Sequence, residues 1–224
     1  MVKFERKETE KANKAIVSLA EAKEKGTTYN TPEVNQALHE MFHGKCYICE
    51  NKEGSSYQIE HLMSHKEDDD LKYDWNNLFW VCAHCNNVKL GRYDNILDCT
   101  KENVDEVIAF RKKGYFGNDE TLEFVALDDR KSTKSTVLLL QNVYYGETAQ
   151  KAIESKIIRK KLREELSYFK NLVREYKEAE GSDKEDLEIL LQRELKNSSA
   201  FTAFKRWLIK DNKEYYAELL RYVL

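Results

Sequence analysis

One proline and eight glycines in 224 residues are too few for the frequent turns of a β-sandwich or barrel. No apolar run approaches the roughly 18 residues of a membrane span, and the charged stretch 1–14 holds no signal-peptide core. A GxxxxGK(S/T) phosphate loop is missing, so any nucleotide control would come from elsewhere. There is no internal repeat and no low-complexity tract. These absences predict a mainly helical protein of the cytosol, where thiols stay reduced.

What is present suffices for a core. Apolar residues make up 41% and aromatics 11%, against 34% charged residues and a mean hydropathy of −0.74, which excludes a disordered polymer. At roughly 150 residues per domain, the length fits one body or a small catalytic unit with a helical appendage. The net charge of −3 is uneven: residues 45–99 carry 6 basic and 10 acidic groups, and residues 130–224 carry 20 and 15. Such asymmetry is compatible with a polyanion partner.

Along the chain, Ala12, Ile16, Leu19, Ala20 and Ala22 predict a helix ending at Gly26. Thr31 as N-cap and Pro32 at the first helical position open a second, through Val34, Leu38 and Met41 to Gly44. After residue 99, Val104, Val107, Ile108 and Phe110 read as a helix and residues 122–127 as a short strand. A helical body begins with residues 137–145. Its longest helix, 148–180, places Ile158, Leu162, Leu166, Phe169, Val173 and Tyr176 on one stripe, and Gly181 ends it, with Ser182 capping the next. Shorter helices are expected at 187–195, 201–209 and 215–223. The expected organisation is therefore N-terminal helices at 1–44, a cysteine-rich core at 45–99 and a helical region at 100–224.

Cys46-Tyr-Ile-Cys49 and Cys82-Ala-His-Cys85 are two CxxC pairs. Four thiolates in this pattern suit the tetrahedral site of structural zinc. Cys99 has no partner at ligand spacing and reads as a buried hydrophobe. His39 and His43 lack a completing ligand and read as packing residues, and His84, inside the second knuckle, is expected to be exposed.

Between the knuckles, residues 56–61 alternate like a strand and end in Glu60-His61. Residues 75–82 enter an apolar strand through Asn77, and Cys85, Asn86 and Lys89 open a short helix. This strand, strand, helix order with its cysteines resembles the HNH endonuclease family over residues 45–92. That family's ββα-metal motif has an acid-His pair ending the first strand, an Asn five residues before the third cysteine, and a His or Asn after the fourth. Glu60-His61, Asn77 and Asn86 occupy those places; Asn76 and Asn87 lie one position away, and the offset from the cysteines selects Asn77 and Asn86. Glu stands where Asp is commoner, and Asn86 where His is common. The resemblance implies a mainly α protein with a small ββα-metal core that hydrolyses nucleic-acid phosphodiesters, DNA above all.

On the chemistry, a neutral His61, with an unperturbed pKa near 6.5, would take a proton from water as general base. Glu60 and Asn86 offer the oxygens preferred by Mg²⁺ or Mn²⁺. Asn77, whose amide both donates and accepts, would steady the loop after His61. His65 reads as a loop residue at least as well as a group that orients the base or contacts phosphate, and the run 67–70 reads as a solvated acidic loop. The competing class is a non-catalytic zinc module that binds nucleic acid or protein.

The core segment is net acidic, so nucleic acid needs another hold. Besides Lys89 in the core, Lys156, Lys160, Arg163, Lys170, Arg174 and Lys177 fall within about 100° of one another on the long helix and span about 32 Å. Such a row suits phosphate contacts, although solvated flanks look the same. The wider pattern, with the IEH and WNNLFWVCAHCNN strings and a helical tail, is similar to HNH subunits of Septu and retron-associated anti-phage defence. That likeness implies a partner ATPase of the ABC or OLD type.

Overall fold

The computed structural model describes residues 1–54, 56–114 and 119–223. Thr9 caps helix α1 (Glu10–Glu24) by accepting from the Ala12 N–H, and Thr31 caps α2 (Pro32–Met41) by accepting from Val34, with Pro32 in the first turn. On α1 the buried side is Ala12, Ala15, Leu19 and Ala22, whereas Ile16 is exposed, contrary to its expected place on the apolar stripe.

Strand β1 (Tyr57–His61) pairs antiparallel with β2 (Leu78–Cys82), His61 opposite Leu78 and Tyr57 opposite Cys82. The connection holds the short helix α3 (Asp69–Lys72) and a 3₁₀ turn at Trp75–Asn77. Helix α4 (Ala83–Lys89) follows β2 directly. Every residue of β2 is buried, as an apolar run on a doubly covered strand requires.

The helix expected from Val104 to Phe110 is only a turn, α5 (Val104–Val107). Ile108 then starts β3 (Ile108–Lys113), which pairs with β4 (Thr121–Ala126) and sets Phe110 opposite Phe124. Helical spacing covered only the first turn; cross-strand aromatic packing decided the rest. The strand foreseen at 122–127 is β4.

Among the described residues, the α-helices α6 (Lys131–Tyr145), α7 (Ala149–Glu178), α8 (Gly181–Glu194) and α9 (Thr202–Asp211) follow. The expected stripe on α7 is buried as read. Helix α8 starts six residues before the expected 187, with Gly181 inside it at φ +58°. Ser182 therefore lies within the helix and caps nothing. The segment 215–223 forms a 3₁₀ turn at Ala217–Tyr222 in place of the expected α-helix.

One hydrophobic core runs from Met1 through the cysteine-rich segment to Trp207, and a second joins α7, α8 and α9 at Phe169, Leu191 and Ile209. No helix among the described residues is long and apolar enough to cross a membrane.

Candidate metal centre and candidate active site

The Sγ atoms of Cys46, Cys49, Cys82 and Cys85 lie within 4.8 Å of one another, all four residues buried. The first knuckle turns tightly: Glu50 N–H donates to the Cys46 carbonyl (2.9 Å) with Glu50 at φ +61°. The Tyr47 N–H, bonded to the Trp80 carbonyl (3.1 Å), ties this knuckle to β2, where Cys82 ends the strand. Tetrahedral Zn–S bonds of about 2.3 Å place sulfurs about 3.8 Å apart, and Cys49 and Cys82 Sγ stand 3.8 Å apart. The cluster thus fits zinc, and all five cysteines, buried Cys99 included, are free of disulfides.

His84 is not exposed as expected. Its Nδ1 lies 2.6 Å from Glu154 and its Nε2 2.8 Å from the Val143 carbonyl, so the second knuckle is fastened to α6 and α7. The Cys82-Ala-His-Cys85 string carries no signal for this, because both partners lie more than fifty residues away.

β1 ends at His61, and the chain turns there. The His61 Nε2 lies 2.9 Å from the Lys72 carbonyl. A carbonyl only accepts, so Nε2 carries the hydrogen and Nδ1 keeps its lone pair. The ring packs edge-on against Tyr29 and His65, with centroids 4.7 and 4.8 Å away. Burial, opposed by the Lys72 carbonyl and helped by neighbouring cations, holds the His61 pKa below its ordinary value, which favours the neutral ring at pH 7. His65 Nδ1 accepts from the Glu67 N–H (3.2 Å) in a loop where Lys66 and Glu67 both have positive φ.

Asn77 is buried in the turn before β2. Its Nδ2 donates to the carbonyls of Met63 (2.9 Å) and Leu71 (3.0 Å), and its Oδ1 accepts from the Met63 N–H (2.9 Å). Both ends of the loop after His61 are bonded to this one amide. Asp68 in that loop caps α3, and Asp70 pairs with Lys23 at the surface.

Glu60 faces the opposite way from His61, as successive strand residues do. Its carboxylate is buried against the Tyr47 hydroxyl and, at 3.5 Å, the Lys89 ammonium. Burial raises the Glu60 pKa to about 7 despite Lys89 and Tyr47, which pull it down. Lys89 is 1% exposed and donates to the His61 carbonyl (2.8 Å). Its expected role as a phosphate contact is thereby corrected, since a buried ammonium answers the buried carboxylate. Asn86, half-buried on α4, donates through Nδ2 to Gln58 (2.7 Å). Gln58 and Glu60 share one face of β1 and meet α4 at Asn86 and Lys89, so the two oxygen donors lie along one strand-helix seam. The side chains of Glu60 and His61 have separate neighbours, and Lys89, bonded to the His61 carbonyl and facing Glu60, links the two positions.

On α7, Lys156, Lys160, Lys170, Arg174 and Lys177 are exposed, while Arg163 pairs with Glu120 at 2.6 Å. Lys177 reaches the Tyr215 carbonyl.

Residues 46–90 match the family model for HNH endonuclease. Comparisons with curated proteins and with solved structures found no match.

Proposed function

We propose that this chain, with an HNH domain at residues 46–90, is a divalent-metal-dependent endonuclease acting on nucleic acid, DNA in the first place. The observation that carries the reading is His61 at the end of β1, with Nε2 bonded to Lys72 and the lone pair on Nδ1. Nδ1 takes a proton from water, the water oxygen bonds to phosphorus, the P–O3′ bond breaks, and the departing 3′ oxygen takes a proton from solvent, leaving a 5′-phosphate and a 3′-hydroxyl. Asn77 positions the loop that holds His61.

Glu60 and Asn86 would hold a hard cation, Mg²⁺ or Mn²⁺, whose chemistry there is to neutralise charge on the phosphate and the departing oxygen. A carboxylate and an amide oxygen are the donor types such an ion takes, and Glu60 would exchange Tyr47 and Lys89 for it. Asn86 Nδ2 is engaged by Gln58, which leaves Oδ1 as the ligand atom. Lys89 is the ion's competitor for Glu60. The four cysteines hold structural zinc.

Plasmid nicking with Mg²⁺ or Mn²⁺ tests the reading: wild type cuts and His61→Ala does not. Equal cutting by both, or none by wild type with its partner present, refutes it. A non-catalytic zinc module is the second reading, and one observation favours it: Glu60 is already paired with Tyr47 and Lys89.

The role in anti-phage defence beside an ABC or OLD-type ATPase, as in Septu and retron systems, rests on the likeness of the strings around Glu60-His61 and the second knuckle. Co-purification of an ATPase with the chain from its native cell supports it, and recovery of the chain alone counts against it. In that setting the exposed members of the basic row on α7, Lys156, Lys160, Lys170, Arg174 and Lys177, contact phosphates, while Arg163 is held by Glu120.

A further inference from the structure

A cavity of about 420 Å³ lies outside the HNH seam, between the N-terminal segment, α2, the turn at Trp75 and the loop at Lys196. That volume is in the range of small-molecule sites, which combine apolar walls with a few polar groups. Its walls are Phe4, Ala12, Ala37, Met41 and the half-buried ring of Trp75. Four lysines, Lys3, Lys7, Lys11 and Lys196, reach its rim against two glutamates, Glu5 and Glu40. Lys7 and Lys11 pair with those glutamates, and Lys3 and Lys196 supply the net positive charge. His43, on the same wall, is held below its ordinary pKa by burial first and by Lys45, Lys52 and Lys7 after it.

The floor is fixed. Arg6 donates to the carbonyls of Trp75 (2.9 Å), Asn76 (3.2 Å) and Leu78 (2.9 Å), and its guanidinium lies over the Trp75 and Phe79 rings. Phe4 N–H is bonded to the Cys99 carbonyl at 2.8 Å. The Trp75 backbone is therefore held in place beside the lysines.

The geometry points to a binding site for a nucleotide: a flat base against Trp75 and the apolar wall, with its phosphate toward Lys3 and Lys196. Stacking on an aromatic ring is tolerant of base identity, and lysines bind phosphate as point charges. The occupant is either a free nucleotide or one nucleotide of a strand. The site abuts the turn that ends in Asn77, but binding there does not depend on hydrolysis, so its failure and that of the nuclease reading are distinguishable.

Equilibrium dialysis of the full chain against AMP, with adenosine and inorganic phosphate as separate arms, tests it. Trp75 emission gives a second signal, because Trp80 and Trp207 are only 8% and 9% exposed. AMP is expected to bind saturably and to quench Trp75. Lys3→Glu with Lys196→Glu, or Trp75→Ala, weakens binding at least tenfold; Trp75→Phe and the charge control Lys131→Glu with Lys134→Glu retain it. Melting curves verify that each variant folds. Displacement of AMP by a short single-stranded oligonucleotide assigns the site to a strand, and failure to displace it assigns the site to a free nucleotide. No saturable AMP binding at millimolar concentration, equal binding of phosphate alone, or binding unchanged in both cavity variants overturns the inference.

Discussion

Removing the His61 imidazole takes away a proton acceptor while leaving β1 intact, so His61→Ala is expected to slow cleavage roughly 100- to 10,000-fold. Two pKa shifts set the pH dependence. His61 titrates below its ordinary value and is already neutral near pH 7, whereas Glu60 loses its proton at about 7. The cleavage rate should therefore rise with pH through about 7, following Glu60. Because a cation competes with that proton, the midpoint should fall as Mg²⁺ is increased; a pH-rate series at several Mg²⁺ concentrations checks this. Glu50 behaves oppositely. Burial alone would raise its pKa, but Lys45 and the Met1 ammonium bring it down to about 2. A depressed carboxylate stabilises the fold above its unfolded pKa of about 4.5, and that contribution, on the order of 3 kcal/mol, is lost as pH falls toward 2. Glu50→Gln leaves Lys45 buried without its counter-ion and should cost about 3–5 kcal/mol at pH 7 while flattening the acid limb of the stability curve. Urea unfolding at several pH values measures both.

At the level of elements, the two knuckles close β1, β2 and α4 around one cluster of four cysteines that fits zinc. Chelation should release one zinc per chain and unfold this unit, because binding energy in such sites is folding energy; circular dichroism with a colorimetric zinc assay follows both. Much of this unit is legible in the sequence, since ligand spacing and strand alternation are local. Thr31-Pro32 and the CxxC pairs announce themselves in the same way. Three features show why the rest was not legible. Ile108 and Phe110 follow a helical interval yet enter a strand, since their partner Phe124 lies across the hairpin. His84 looks like a knuckle surface residue until α6 and α7 fold over it. Lys89 looks like a basic residue on an exposed helix until β1 places the Glu60 carboxylate beside it. In each case a distant partner outweighs the local pattern. On α7 the basic row makes a separate prediction: changing Lys156, Lys160 and Lys170 to Glu should weaken DNA binding and reduce its salt dependence, as read by filter binding at several salt concentrations.

Over the whole molecule, the three expected segments share a core. Tyr47 packs on Phe42 and Phe79, and the Tyr144 hydroxyl donates to the Cys49 carbonyl (3.0 Å). Phe204 meets Tyr144, Phe110 and Phe124. A fragment 45–99 with zinc is accordingly expected to lack the dispersed amide spectrum of a folded unit, although its motif reads as self-contained in the sequence. The division of work inside the core is the central claim: His61 removes the proton, and the Glu60 and Asn86 oxygens serve the leaving group. A single-turnover cleavage assay on a strand whose scissile 3′ oxygen is replaced by sulfur separates these roles, because a thiolate leaves with less help from a hard cation. Asn86, half-buried on α4 and outside the buried Glu60–Lys89 pair, suits the comparison. The sulfur strand should restore Asn86→Ala to near the wild-type rate and leave His61→Ala slow; His61→Ala cutting as fast as wild type on either strand would contradict the claim.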